Sequence, residues 1–246
     1  MTAPGVYSYG VVRAGQPLPE GCGGVGSPSA PVRLVRAGRV AAVVSEAPAE
    51  LRARRRDLMA HQELLLRLAE KGPVVPMRFG VVSPDEERLV ADLARSEPET
   101  VDLLEHLDGR CEMNFKASAA ESGLASLVRE DEGVRRLRAQ ARRQPSYEAN
   151  VRLGEAVSAG LTRRATEAAE QAVLALAPLA VELTEGAAAA DCVRSVSFLI
   201  ERDRLDAFRA TVTSAAARYG QHADLRVTGP LPCYSFAGSA PARAAV

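Results

Sequence analysis

No apolar run in the 246 residues comes near the roughly 20 that a membrane-spanning helix requires. The first residues also carry no apolar signal-peptide core, so the expected location is cytoplasmic, with no membrane partner. Net charge is missing as well. Lysine and arginine total 31 against 31 acidic residues, and a neutral chain has no global field to draw it to nucleic acid or to an anionic surface. Lysine itself is nearly absent, at Lys71 and Lys116 only, an arginine bias that a GC-rich genome produces without any chemical demand. There are three histidines, and the four cysteines (Cys22, Cys111, Cys192, Cys233) stand far apart, without CxxC or zinc-ligand spacing. They are expected to be free thiols in a reducing compartment, holding neither a disulfide nor a metal. No cofactor is expected.

What is present is ordinary for a globular protein: 47% hydrophobic and 25% charged residues. The length suits two domains of about 100–150 residues each. Alternation marks a strand over residues 5–12, followed by a Gly/Pro-rich loop over 13–31 and two strands at 32–36 and 39–45 joined at Ala37-Gly38. Pro48 is placed as a first helical residue. Leu51, Leu58, His61, Leu65 and Leu68 recur at helical spacing up to the stop at Gly72-Pro73. Ser83-Pro84-Asp85-Glu86 and Ser96-Glu97-Pro98-Glu99 each read as a capping signal opening a further helix.

A strand at 110–116 begins a second series, with a helix-prone, charged extension at 118–144 and a long helix from Tyr147 to Pro178. Strands at 180–184 and 192–200, a helix over 203–219 and a strand at 222–228 complete it. The expected fold class is α+β in two domains. Residues 1–108 form the first; residues 109–237 form the second, a modified ferredoxin-like β-α-β-β-α-β fold with a helical insertion. Residues 238–246 are expected to be a disordered tail.

Searches for chemistry give little. Gly21-Cys22-Gly23-Gly24-Val25-Gly26 matches GxGxxG, but Ser27-Pro28-Ser29-Ala30-Pro31 cannot open the helix that a dinucleotide loop requires, so a flexible loop is expected. Arg52, Arg54, Arg55 and Arg56, beside Glu50 and Asp57, read as a solvated helix face, without the interleaved aromatics of a single-strand binder. His61 and Glu63 share that helix without a second metal-spaced partner. Asp102 and His106, at i and i+4, read as a local surface contact. Cys111 beside Glu112 has its thiolate disfavoured. Nothing assembles into acid, base and nucleophile.

Two stretches stand out. In Gly72-Pro73-Val74-Val75-Pro76-Met77-Arg78-Phe79-Gly80 the prolines confine the segment to a sheet edge or an irregular extended piece. An arginine between Met77 and Phe79 needs a carboxylate if buried, and Glu112 is a plausible partner that would clamp the two domains. The alternative is a strand with a structural salt bridge and no further role. The second stretch is Gly229-Pro230-Leu231-Pro232-Cys233-Tyr234-Ser235-Phe236. Its prolines hold it extended, so Leu231, Tyr234 and Phe236 either cap the core or form a rigid apolar strip for a partner.

Val75-Pro76-Met77-Arg78-Phe79-Gly80 and Thr228 to Phe236 resemble the two motifs of the gas vesicle GvpF/GvpL family, in the right order and near the expected ends. Tyr7-Ser8-Tyr9-Gly10-Val11-Val12 fits the same pattern, so the resemblance covers residues 5 to 237. Leu231 and Cys233 depart from it, standing where aromatics or prolines are common. The resemblance implies a non-enzymatic accessory protein of early gas vesicle assembly. It would bind the hydrophobic shell protein GvpA and other accessory proteins, and be located in the cytoplasm and at the gas vesicle. Pro76, Met77, Arg78, Phe79 and Gly80 are its expected motif residues in the first series, Glu112 in the strand that begins the second, and Gly229, Pro230, Leu231, Pro232, Tyr234 and Phe236 in the closing segment. The competing class is a small-molecule-binding regulator or enzyme on a ferredoxin-like unit, with Arg78, Glu112 and His61 in a polar pocket.

Overall fold

Residues Val6–Arg13 (β1) are buried on both faces, which places them inside a sheet. In the computed structural model, which describes residues 5–186 and 191–238, β1 has that place. It pairs antiparallel with β3 (Val40–Glu46), which pairs in turn with β2 (Arg33–Ala37). The turn between β2 and β3 uses Gly38 at a left-handed φ of 59°. On its other side β1 pairs with β4 (Val74–Pro76) and the two-residue β5 (Val82–Ser83). The path β2-β3-β1-β4 leaves β4 at its end, where Pro73 and Pro76 cost no ladder bond. Gly10 permits the close pairing, since a Cβ there would lie 2.8 Å from the Val75 carbonyl oxygen.

Helix α1 (Arg55–Lys71) buries Asp57, His61, Leu64, Leu65 and Leu68, and the leucines join Tyr7, Tyr9, Val12 and Val43 in the core of this sheet. The helix does not begin at Pro48. Arg54, just before it, is extended at φ −74° and ψ 143°, and Asp57 in the first turn accepts a hydrogen bond from Gly26 N–H at 3.0 Å. That tertiary bond fixes the start of the helix, so Arg52 and Arg54 lie before it.

Helices α2 (Glu86–Arg95) and α3 (Glu97–Leu107) follow. The cap of α2 is Asp85 rather than Ser83: its Oδ1 accepts the Arg88 N–H at 2.7 Å, which puts Pro84 outside the helix. Ser96 precedes α3 but turns its hydroxyl back to the Asp92 carbonyl, leaving Pro98 to favour the first turn.

The second series runs β6 (Arg110–Ala119), α4 (Leu124–Glu130), α5 (Glu132–Arg143), α6 (Tyr147–Leu176), β7 (Glu182–Glu185), β8 (Arg194–Glu201), α7 (Leu205–Tyr219) and β9 (Ala223–Leu231). The strands form one sheet in the order β7-β8-β6-β9. Of the extension expected at 118–144, residues 118–119 continue β6 and the rest forms chiefly two helices with a break at Asp131, whose carboxylate caps α5 on Val134 N–H. Val134 and Ala141 of α5 are buried. Helix α6 spans about 45 Å, opens on a Ser146 cap and stops before Pro178.

By its contacts the chain divides into two compact units. One holds the described residues up to Glu112 and those from Pro230 onward; the other is Met113–Gly229. This differs from the expected boundary at 108/109 with the closing segment in the second domain, because Tyr234 and Ser235 bond to His61 and Glu112. Of the expected tail at 238–246, residues 239–246 lie outside the described residues.

Candidate functional site

The first unit is organised around His61, on the buried face of α1 and 3% exposed. Its Nε2 lies 3.0 Å from the Met77 carbonyl oxygen. A carbonyl only accepts, so Nε2 carries the proton and Nδ1 is the acceptor for the Tyr7 hydroxyl at 2.8 Å. The same hydroxyl accepts the Gly80 N–H at 3.3 Å. The relay Gly80 to Tyr7 to His61 to Met77 thus grips the stretch 77–80 at both ends. Tyr9 stacks on the imidazole at 5.4 Å and Phe79 meets it edge-on at 5.8 Å. Burial lowers the His61 pKa, with the bond to Met77 opposing it, and burial raises the Tyr7 phenol. A neutral imidazole with both nitrogens engaged is a structural core residue and has no lone pair left for proton abstraction.

The relay decides where Arg78 goes. Met77 is buried and Phe79 half-buried, so the side chain between them points outward and is exposed. The expected Arg78–Glu112 pairing is not formed. Among the described residues Arg78 has no ion pair, while Glu112, 2% exposed, spends its carboxylate on Ser235. The backbone N–H of Ser235 donates to Oε2 at 2.8 Å and its hydroxyl to Oε1 at 2.7 Å. Two local donors satisfy the buried carboxylate, and the guanidinium keeps its hydration instead of losing it.

The closing segment is not the continuous extended strip that its prolines suggest. Strand β9 carries Gly229, Pro230 and a half-buried Leu231; Pro232 and Cys233 are buried; then the chain turns, with Tyr234 N–H donating to the Pro232 carbonyl at 2.8 Å. Phe236 is buried as a cap, whereas Tyr234 is 38% exposed. The hydroxyl of Tyr234 reaches to 3.4 Å from His61 Nε2. Burial of that end, and then the nearby Glu112 charge, push the phenol up to about 12. Residues 76–80 and 229–236, more than a hundred positions apart, therefore meet on one histidine.

Other sequence candidates fall out differently. The loop at 21–26 opens no helix, yet it is tethered rather than free: Val25 is fully buried and donates its N–H to the Tyr9 hydroxyl at 2.7 Å. Asp57 is buried beneath this loop, so the arginine-rich stretch is not a uniformly solvated face. Loop residues 25–31, residues 46–50 and Arg54, Arg56 and Asp57 line an open cleft of about 570 Å³. His106 receives Arg110 on its Nδ1 at 3.1 Å. Cys22 and Cys192 are free thiols, and among the described residues no three His, Cys, Asp or Glu side chains are grouped to hold a metal. The roles of Tyr7, Tyr9, Asp57 and Ser235 escaped the sequence reading. The i, i+2 tyrosines, and the Asp57–His61 step at i, i+4 beside the leucine stripe, were the available signals.

Comparison with known proteins completes the description. The family model described as "Gas vesicle synthesis protein GvpL/GvpF" matches residues 5–238. The chain is 40% identical over 234 residues to Gas vesicle protein F of a Streptomyces species, covering 94% of this chain and 98% of the relative. Among solved structures it is similar to GvpF from Anabaena, with a TM-score of 0.78 and 25% identity over 96% of this chain and 98% of that one. GvpF from Microcystis aeruginosa shares the fold with a TM-score of 0.73 at 22% identity, over 96% and 99% of the respective chains.

Proposed function

Because the chain belongs to the GvpL/GvpF family of gas vesicle synthesis proteins, we propose that it acts without catalysis in early vesicle assembly, binding the hydrophobic shell protein GvpA and other accessory proteins. Subunits that must close into an apolar shell aggregate unless something holds their apolar surface first, and a soluble holder supplies that need. The observation that carries this reading is the meeting of the two motifs on His61. The buried relay spends its own polar groups and leaves Arg78 exposed and Tyr234 partly exposed. Arginine and tyrosine are the side chains most often found to dominate protein interfaces.

We read the second unit as a modified ferredoxin-like fold. The order β7-β8-β6-β9, with the α4–α6 helices between β6 and β7 and α7 between β8 and β9, supports that reading. The competing ligand-binding or enzymatic reading requires Arg78, Glu112 and His61 to converge. Instead Glu112 is committed to Ser235, His61 to Tyr7 and Met77, and Arg78 to solvent.

The test is co-expression with the shell protein of its own gene cluster, followed by pull-down. Wild type is expected to retain and solubilise the shell protein, while Arg78→Ala and Tyr234→Ala lose it with their fold intact. A wild-type protein that leaves the shell protein aggregated and unbound would overturn direct holding. Point variants serve better than a truncation before Gly229, which would also remove Ser235 from Glu112.

A further inference from the structure

Arginine is unevenly spread over the second unit. Helix α5 carries Arg135, Arg136, Arg138, Arg142 and Arg143, all exposed, against a single acid, Glu132. The two acids that precede Glu132 in the sequence are already committed. Asp131 caps α5 and pairs with Arg163 at 3.0 Å, and Glu130 pairs with Arg164 and Arg129, each at 3.2 Å. Among the described residues the five α5 arginines form no ion pair. Proximity to a helix C-terminus accounts for Arg142 and Arg143, but not for the others.

Four of these arginines are gathered on one side. Arg135, Arg138, Arg142 and Arg143 line an open groove of about 730 Å³ between α4 and α5, together with Arg129; Arg136 does not line it. The floor is apolar, formed by Ala125, Val128 and Ala139. Arg135, Arg138 and Arg142 stand at i, i+3 and i+7, a straight row about 10 Å long at the helical rise. A third helix laid along two others meets them with its own i, i+3, i+7 row. Small floor residues let its backbone approach to the usual 8–10 Å.

The geometry points to a docking groove for an acidic amphipathic helix of a partner protein. Its carboxylates meet Arg135, Arg138 and Arg142, and its apolar stripe lies on Ala125, Val128 and Ala139. Bidentate guanidinium–carboxylate pairing suits this row better than lysine would. A nucleic acid is the other polyanion to consider, but the groove offers no aromatic side chain for a base to stack on, and its floor is apolar. This groove belongs to the second unit, and its binding does not require Arg78 or Tyr234 to bind anything.

The experiment uses the full chain and a fluorescent synthetic helix with glutamates at i, i+3 and i+7 and alanine or leucine on the opposite face. Controls are the same composition with scrambled glutamates, and a DNA oligonucleotide of equal charge. The helix is expected to bind with an affinity that falls with salt, and the scrambled peptide to bind more weakly. Arg138→Glu is expected to weaken it by roughly tenfold or more, and Arg136→Glu, with the same charge change on the same helix, by less than about twofold. Circular dichroism of both variants checks that the fold is kept. Equal losses from the two variants would reduce the effect to general electrostatics and overturn the groove. So would failure of the helix to bind, or DNA binding more tightly and displacing it.

Discussion

Ser235 gives both of its donors to one carboxylate, its backbone N–H and its hydroxyl each meeting a different oxygen of the buried Glu112. Hydrogen bonds to a charged acceptor contribute about 1.5–3 kcal/mol, and a buried carboxylate left unpaired costs at least as much. Ser235→Ala keeps the backbone bond and is expected to cost about 2 kcal/mol in urea unfolding. Glu112→Ala removes both bonds and is expected to cost more. A Glu112 variant as stable as wild type would show that the pairing contributes nothing.

His61 makes stability fall as pH falls. Burial depresses its folded pKa below the 6.5 of the unfolded chain, so below that pH the unfolded state binds a proton that the folded state resists. The contribution is complete above about pH 6.5 and is lost as pH drops toward the depressed folded value, with a slope of at most about 1.4 kcal/mol per pH unit. Urea midpoints of wild type between pH 7 and 5 are expected to decline more steeply than those of His61→Gln. Parallel curves would count against a buried neutral imidazole.

The loop at 22–30 is held by Tyr9. The hydroxyl of Ser45 donates to the Glu46 carbonyl at 3.1 Å, so Tyr9 donates to Ser45 and accepts from Val25 N–H. Tyr9→Phe is expected to cost about 1–2 kcal/mol and to speed hydrogen exchange at Val25. Gly24→Ala reaches the same contact by steric means, since its Cβ would stand 2.4 Å from the Tyr9 hydroxyl. Unchanged exchange at Val25 in both variants would free the loop from Tyr9.

Two glycines on α6 should respond in opposite ways to alanine. Gly154 has open space around its Cβ position, so Gly154→Ala is expected to stabilise by roughly 0.5–1 kcal/mol. A Cβ at Gly160 would lie 2.9 Å from Cδ1 of the fully buried Leu127, and overpacking there consumes the helix gain. Thermal melts of the two variants decide it. Equal stabilisation would mean that Leu127 has room to move.

Local signals made most elements legible. Ser146 and Pro178 bracket α6 because caps and prolines act on their own neighbours, and β1 to β3 follow from alternation and Gly38. The two proline-bearing stretches that stood out both supply a group next to His61. What the residues did not disclose was choice of partner. Arg78 and Glu112 look complementary on paper, but the buried carboxylate found two nearer donors in Ser235, and a neutral relay through Tyr7 and His61 fixed Arg78 outward. Asp57 seemed one more charge among arginines until Gly26 came over it. Such pairings depend on where distant backbone passes, which no local pattern encodes.

The return of residues 230–238 to the unit that contains β1 sets an order of events during synthesis. The first sheet and α1 leave the ribosome early, but Glu112 has no Ser235 and His61 no Tyr234 until residues 234–236 have followed. All of the second unit is translated in that interval. A nascent chain therefore carries a buriable carboxylate without its partners while the whole second unit is made, and its two family motifs come together only after the last of them has emerged.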